Sequence, residues 1–243
     1  MKHSSLKWIA RVALYIALTL PATLSANTVT TVILFSNHTN DTLNEAKSFE
    51  LLADLLAADY KTESQKGQQE NSLEAQVSRF LSTHGEIPTD ALVIISTSTA
   101  SILHSTEEFK TNNLTNKTTL KTNATDVIKQ LQRLTKRGAK QVILVNASDP
   151  VDSTQTTTKV RSNKVNVQTK IFNQILKSKL KQAKLDDQHL DHVSYFDKFT
   201  LTKAITSETG NGEWNANSGH SALSHRKIEY LAIAMLDSLK FKE

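Results

Sequence analysis

Not one of the 243 residues is cysteine. That excludes a disulfide scaffold, a thiolate-bound zinc site and a cysteine nucleophile. Glycine and proline are scarce, six and three residues, so the chain is neither collagen-like nor a Pro/Gly-rich low-complexity segment. Aromatics make up 6%, too few to lay out a base-stacking platform. The formal charge of +5 shrinks on inspection: Lys2, Lys7 and Arg11 stand together before an apolar run, and about +2 remains without them. With no contiguous Lys/Arg block and no RNA- or DNA-binding motif, nucleic acid is not expected as a partner.

What is present begins with a leader. A positive stretch ending at Arg11, an apolar run over residues 12–20, a helix-breaking Pro21 and the small-residue end Leu24-Ser25-Ala26 read as a secretory signal peptide over residues 1–26. The alternative is an N-terminal membrane anchor, but the apolar run is about half the ~20 residues that a bilayer span needs. The expectation is a secreted or periplasmic protein with no membrane span after cleavage, a single domain over residues 27–243, and a monomer.

The remaining chain alternates. Residues 28–35 (TVTTVILF) form a β-branched run that reads as a buried strand. Phe49, Leu52, Ala53, Leu56 and Tyr60 share one face of a helix. Residues 61–71 are polar and without pattern. Leu73, Val77, Phe80 and Leu81 then mark a second helix ending near Gly85, and Ala91-Leu92-Val93-Ile94-Ile95 a second strand. Residues 105–125 are dominated by Thr and Asn and read as a surface loop or lid. Val127, Leu131 and Leu134 set a helix that Gly138 ends, before a strand at Gln141-Val142-Ile143-Leu144-Val145. A long helix carries Phe172, Ile175, Leu176, Leu180 and Ala183, a short strand covers Val193-Ser194-Tyr195-Phe196, and a last helix carries Ile228, Leu231, Ala232, Met235 and Leu239. Strands separated by amphipathic helices predict a three-layer α/β/α, flavodoxin-like parallel sheet with helices on both faces. Ligands of such sheets lie just beyond the carboxyl ends of the strands.

Several blocks, in order and spacing, resemble the GDSL or SGNH lipase and esterase family, in particular its secreted bacterial acylhydrolases. They are Ser72-Leu73-Glu74-Ala75-Gln76-Val77-Ser78-Arg79-Phe80-Leu81 with Asp90-Ala91-Leu92-Val93-Ile94-Ile95; Leu131-Gln132-Arg133-Leu134 with Arg137-Gly138-Ala139-Lys140 and residues 142–149; Phe172-Asn173-Gln174-Ile175-Leu176; and Trp214-Asn215 with the histidines after it. The resemblance implies hydrolysis of ester bonds by a serine nucleophile, a histidine base, an orienting aspartate and an oxyanion hole that includes an asparagine side chain.

Each of those roles falls on a different residue type in this chain. The first strand runs into Phe35-Ser36-Asn37-His38-Thr39-Asn40-Asp41, so the serine position holds His38. In Ser98-Thr99-Ala100-Ser101 the asparagine donor has become Ala100, which has no side-chain donor. The orienting aspartate matches Asn215, and the base falls at Ser218 or Gly219, with His220 one or two positions late. The leading expectation is an exported acylhydrolase-like protein that has lost catalysis and binds an acyl ester, lipid or glycan at a mouth near Asn37, Asp41, Ser98 and Trp214, with no cofactor. A second reading is an active carboxylic-ester hydrolase or lysophospholipase in which Ser36 pairs with His220 and Asn215. A third is a metal- or glycan-binding module, with His38, His220 and His225 as imidazole ligands, although no short His spacing supports it.

Overall fold

A computed structural model describes residues 29–36, 43–63, 72–98, 115–148, 159–208 and 220–240. Five strands, β1 (Thr31–Ser36), β2 (Asp59–Thr62), β3 (Ala91–Ser96), β4 (Gln141–Val145) and β5 (Val193–Phe196), form one sheet in the order β2-β1-β3-β4-β5. Every pairing is parallel. The helices between and after them are α1 (Leu43–Leu55), α2 (Leu73–His84), α3 (Thr115–Lys136), α4 (Lys159–Asp186), α5 (Lys198–Glu208) and α6 (His220–Lys240).

The central strands are apolar on both faces because both faces are covered. Ile33, Phe35, Val93, Ile95, Val142 and Leu144 point into one core with α2, α3 and α4, where Val77, Phe80, Leu131, Phe172 and Leu176 meet them. Val32, Leu34, Leu92, Ile94, Ile143 and Val145 point into the other with Phe49, Leu52, Leu231, Ala232 and Met235 of α1 and α6. The three-layer parallel architecture expected from the alternation is therefore present. β1, β3, β4 and β5 lie at or within a few residues of the apolar runs that announced them.

Three local expectations are corrected. First, the helix opened by Phe49 and Leu52 stops at Leu55, and Tyr60 belongs to β2. The break is made at Ala57, whose φ of 52° is left-handed, while the Ala58 N–H bonds back to the Ala53 carbonyl at 2.9 Å. This is a helix-terminating motif without its usual glycine, so the sequence gives no warning. Tyr60 matches the helical period by coincidence, and β2 escapes notice because as a short edge strand it is polar.

Second, the Thr/Asn-rich segment is helical from Thr115 onward; residues 105–114 lie outside the described residues. Leu120 and Ala124 are fully buried and extend the stripe of Val127, Ile128, Leu131 and Leu134. Thr and Asn are weak helix formers because their side chains compete for backbone bonds. Here two hydroxyls turn back on their own helix, Thr122 to the Thr118 carbonyl at 3.1 Å and Thr125 to that of Lys121 at 2.7 Å. Third, α5 follows β5 directly and was not anticipated. Asp197 caps it, its carboxylate accepting the Thr200 N–H and hydroxyl at 3.1 and 2.9 Å.

The C-terminal ends of α2 and α3 fall at Gly85 and Gly138 as the sequence predicts. Ser72 caps α2 by accepting the Ala75 N–H at 3.2 Å, and Gly85 closes it at φ 75°. Gly138 has φ 101°, and a Cβ there would sit 2.9 Å from the Ile87 carbonyl oxygen. The turn after α3 thus needs glycine for its backbone angle and for its close approach.

Candidate functional site

The strand order reverses between β1 and β3, and in open parallel sheets that reversal opens a crevice at the carboxyl edge. β1 ends at Ser36 and its register partner on β3 is Ser96, so two serines lie side by side at the mouth. Thr97 and Ser98 follow β3, and Asn146 follows β4; all five side chains are buried.

Two carboxamides fasten this edge from below. The last bond from β1 to β2 joins the Glu63 N–H to the Leu34 carbonyl, at 3.0 Å. Two residues on, Ser36 has its backbone turned the same way, but β2 has ended at Thr62. Gln76 of α2 supplies the missing ladder: its Oε1 accepts the Ser36 N–H at 3.0 Å and its Nε2 donates to the Ser36 carbonyl at 2.7 Å. Asn173 of α4 does the same for Ala147 beyond β4, accepting its N–H at 3.1 Å and donating to its carbonyl at 2.9 Å. Between them Thr97 ties β3 to β4, its N–H and its hydroxyl both reaching the Val145 carbonyl at 3.0 Å.

The β4/β5 side carries a denser polar cluster. Asn146 donates to the Tyr195 hydroxyl at 3.1 Å and to the Asp197 carboxylate at 2.8 Å, and its Oδ1 accepts the Phe199 N–H at 3.0 Å. Tyr195 in turn donates to the Asn173 carbonyl at 3.3 Å. Burial pushes the Tyr195 phenol up to about 12; the Asp197 charge acts in the same direction, and the Asn146 bond opposes them. A phenol so held stays neutral and serves as a structural donor.

Of the sequence-derived candidates, the fold brings Ser36 and Ser98 to the ends of neighbouring strands. Ser36 is the last residue of the ladder, 2% exposed, and by strand alternation its side chain faces the layer of α1 and α6. His220 is the first residue of α6, and His225 lies five residues into it. Asn37, His38, Asp41, Ala100, Trp214, Asn215 and Gly219 lie outside the described residues. Of the remaining histidines, His84 stacks on Phe80, with ring centroids 4.4 Å apart at the end of α2 remote from the mouth, and His189 and His192 are exposed. Among the described residues no group of three or more His, Cys, Asp or Glu is disposed to hold a metal ion. Nor is any described helix long and apolar enough to cross a membrane.

Gln76, Asn146 and Asn173 were not singled out from the sequence. A signal existed for two of them: Gln76 interrupts the apolar stripe of Leu73, Val77 and Phe80, and Asn173 adjoins Phe172 and Leu176. A polar residue on a buried helix face must have found a partner.

These features define the class: a flavodoxin-like parallel sandwich with its strand order reversing between β1 and β3. No family model matches the chain, and no curated protein matches it. Solved structures do. A member of the lipolytic G-D-S-L family from Veillonella parvula is 13% identical and superposes with a TM-score of 0.51 over 86% of this chain and 97% of its own. A catalytic mutant of an acetylxylan esterase from Geobacillus stearothermophilus is also 13% identical, with a TM-score of 0.50 over 90% of this chain and 98% of its own. The fold is that of the GDSL/SGNH hydrolases, as the order of sequence blocks implied.

Proposed function

We propose that this chain is an exported protein of GDSL/SGNH fold that no longer hydrolyses esters and uses the sheet mouth to bind a ligand of acyl ester, lipid or glycan type. The observation that carries this reading is the residue at the nucleophile position. Two residues past the end of β1, where the family it resembles has its serine, stands His38. Imidazole cannot replace an alkoxide whose own base and orienting carboxylate are also replaced, here by Gly219 or Ser218 and by Asn215. Ala100 removes a further donor from the oxyanion position.

The competing reading assigns the nucleophile to Ser36. A nucleophile must project from the strand-to-helix turn to meet a carbonyl. Ser36 instead is buried, and both its backbone groups are held by Gln76, which favours a structural role. The leader over residues 1–26 supports export.

The test is turnover of short- and medium-chain p-nitrophenyl esters and of a lysophospholipid by the chain, beside Ser36→Ala and His38→Ser. Rates equal to buffer for the unaltered chain are expected. Turnover abolished by Ser36→Ala would overturn the proposal and relocate the active site two residues upstream. Cell fractionation with N-terminal sequencing tests export; the expected first residue is Asn27.

A further inference from the structure

The whole chain carries +5, yet its charge is not spread evenly over the sandwich. α3 holds five basic residues (Lys117, Lys121, Lys129, Arg133 and Lys136) against Asp126. α4 has eight in its sequence, seven lysines and one arginine, five of them with described side chains (Lys170, Lys177, Lys179, Lys181 and Lys184), against Asp186. The opposite layer balances: in α1 and α6 five acidic residues face four basic ones. Because α3 and α4 pack side by side on one face of the sheet, two stretches distant in sequence merge into one basic plate. At 1.5 Å per residue the longer helix extends roughly 40 Å.

The chemistry of that plate selects among anionic partners. Lys121, Lys129, Lys136, Lys170, Lys177 and Lys181 are exposed, Lys170 and Lys177 with their ammonium groups 5.8 and 5.6 Å from the Phe199 and Tyr195 ring centres. The acidic groups on these helices and on the turn that packs against both are Asp126, Asp186, Asp187 and Asp191, with Asp187 4.0 Å from Lys136. Lysines dominate, and lysine is a point charge without the planar fork that reads phosphates or bases individually. Arg133 is occupied by Gln130 and Ser78, at 2.7 and 3.1 Å. The single aromatic on either helix, Phe172, is buried, so these two helices offer no stacking surface to a nucleobase.

A second observation points to lipid. Val167 and Leu185 are 55% and 75% exposed. They stand eighteen residues apart on α4, five helical turns, and so on one line of the helix. Lys170 and Lys181 lie beside that line, and Gln174 and Ser178 on it are exposed and uncharged. Apolar side chains at both ends of a line flanked by lysines suit an interface where ammonium groups meet headgroups and short aliphatic chains enter the acyl boundary.

We infer that the α3/α4 face is a peripheral membrane-docking surface for anionic phospholipid bilayers. Attachment is reversible, because electrostatics supply most of it and two aliphatic anchors alone do not hold a protein on lipid. The inference does not depend on whether the sheet mouth is catalytic.

The test is co-sedimentation of the chain from Asn27 onward, which holds every described strand and helix, with phosphatidylcholine vesicles containing or lacking a third of phosphatidylglycerol. Expected are binding to the anionic vesicles only, a fall with rising salt, and a loss of roughly tenfold or more in Lys121→Glu/Lys129→Glu/Lys170→Glu/Lys181→Glu. The four Lys→Arg changes should keep binding, and Val167→Ser/Leu185→Ser should weaken it at unchanged charge. Circular dichroism checks that each variant is folded. Failure to bind anionic vesicles, or equal binding by the glutamate variant, would overturn the inference. Binding to heparin or duplex DNA with none to vesicles would overturn it in favour of a soluble polyanion.

Discussion

The carboxamide of Gln76 grips both backbone polar groups of Ser36, at 3.0 and 2.7 Å, and so adds one rung to the β1 ladder past the end of β2. A side-chain amide carries a donor and an acceptor side by side, as a neighbouring strand would present them. The grip sets the position from which the chain leaves β1 toward the mouth.

Replacing Gln76 by Leu should leave a buried N–H and a buried C=O without this partner, at about 1–3 kcal/mol each. Urea unfolding should show a loss of roughly 2–6 kcal/mol at nearly unchanged m-value. In Gln76→Glu an ionised carboxylate can still accept the Ser36 N–H, but only the protonated form can also donate to the Ser36 carbonyl, so that variant should regain stability as pH falls. A Leu variant as stable as the unaltered chain would show the clamp to be dispensable.

Tyr195 gives a prediction at high pH. Its phenol is raised from 10.0 to about 12, so between those values the folded chain keeps a proton that the unfolded chain releases. Its contribution is complete below pH 10 and is lost as pH rises through 12. Tyr195→Phe should be less stable at neutral pH, because Asn146 and the Asn173 carbonyl lose a partner. The variant should also lose the part of the alkaline stability loss that belongs to this group, as read by chemical unfolding at stepped pH.

Two backbone positions predict opposite signs. Ala57 occupies a left-handed angle that costs an L-residue roughly 1–2 kcal/mol, so Ala57→Gly should raise stability by about 0.5–1 kcal/mol after the extra chain entropy of glycine. Gly138→Ala should lower it by more than about 1 kcal/mol, since the new Cβ meets the Ile87 carbonyl at 2.9 Å. Thermal or urea midpoints of the pair decide both.

Leu120 separates the helix from the loop that its Thr/Asn-rich surroundings suggest. Fully buried in the core of α2, α3 and α4, it should cost about 2–5 kcal/mol as Leu120→Ala. A surface loop residue would cost next to nothing.

Much of the fold was legible. The runs at Val32, Leu92 and Ile143 are apolar without alternation, which only strands covered on both faces require. Gly85 and Gly138 marked helix ends because glycine alone takes those angles without strain. Of the candidate site the structure describes Ser36 and Ser98 at the ends of neighbouring strands, whereas His38, Ala100 and Asn215, reached only by counting from strands and blocks, lie outside the described residues. β2 and the stop after Leu55 were not: a polar edge strand resembles a loop, and Ala57 carries no mark of the conformation it is forced into.

By itself, the sequence determined the class of fold, because the period of burial is written into the order of apolar residues. Tertiary structure decided the rest. Packing of Leu120 and Ala124 overrides the weak helix propensity around them, for burial outweighs the few tenths of a kcal/mol that each Thr or Asn costs. Gln76 becomes a clamp only because β2 ends where it does. The basic residues of α3 and α4 form a single face only because the crossovers lay those helices side by side. Linear patterns record what each segment buries, whereas partners distant in the chain are set by the geometry of the assembled sheet.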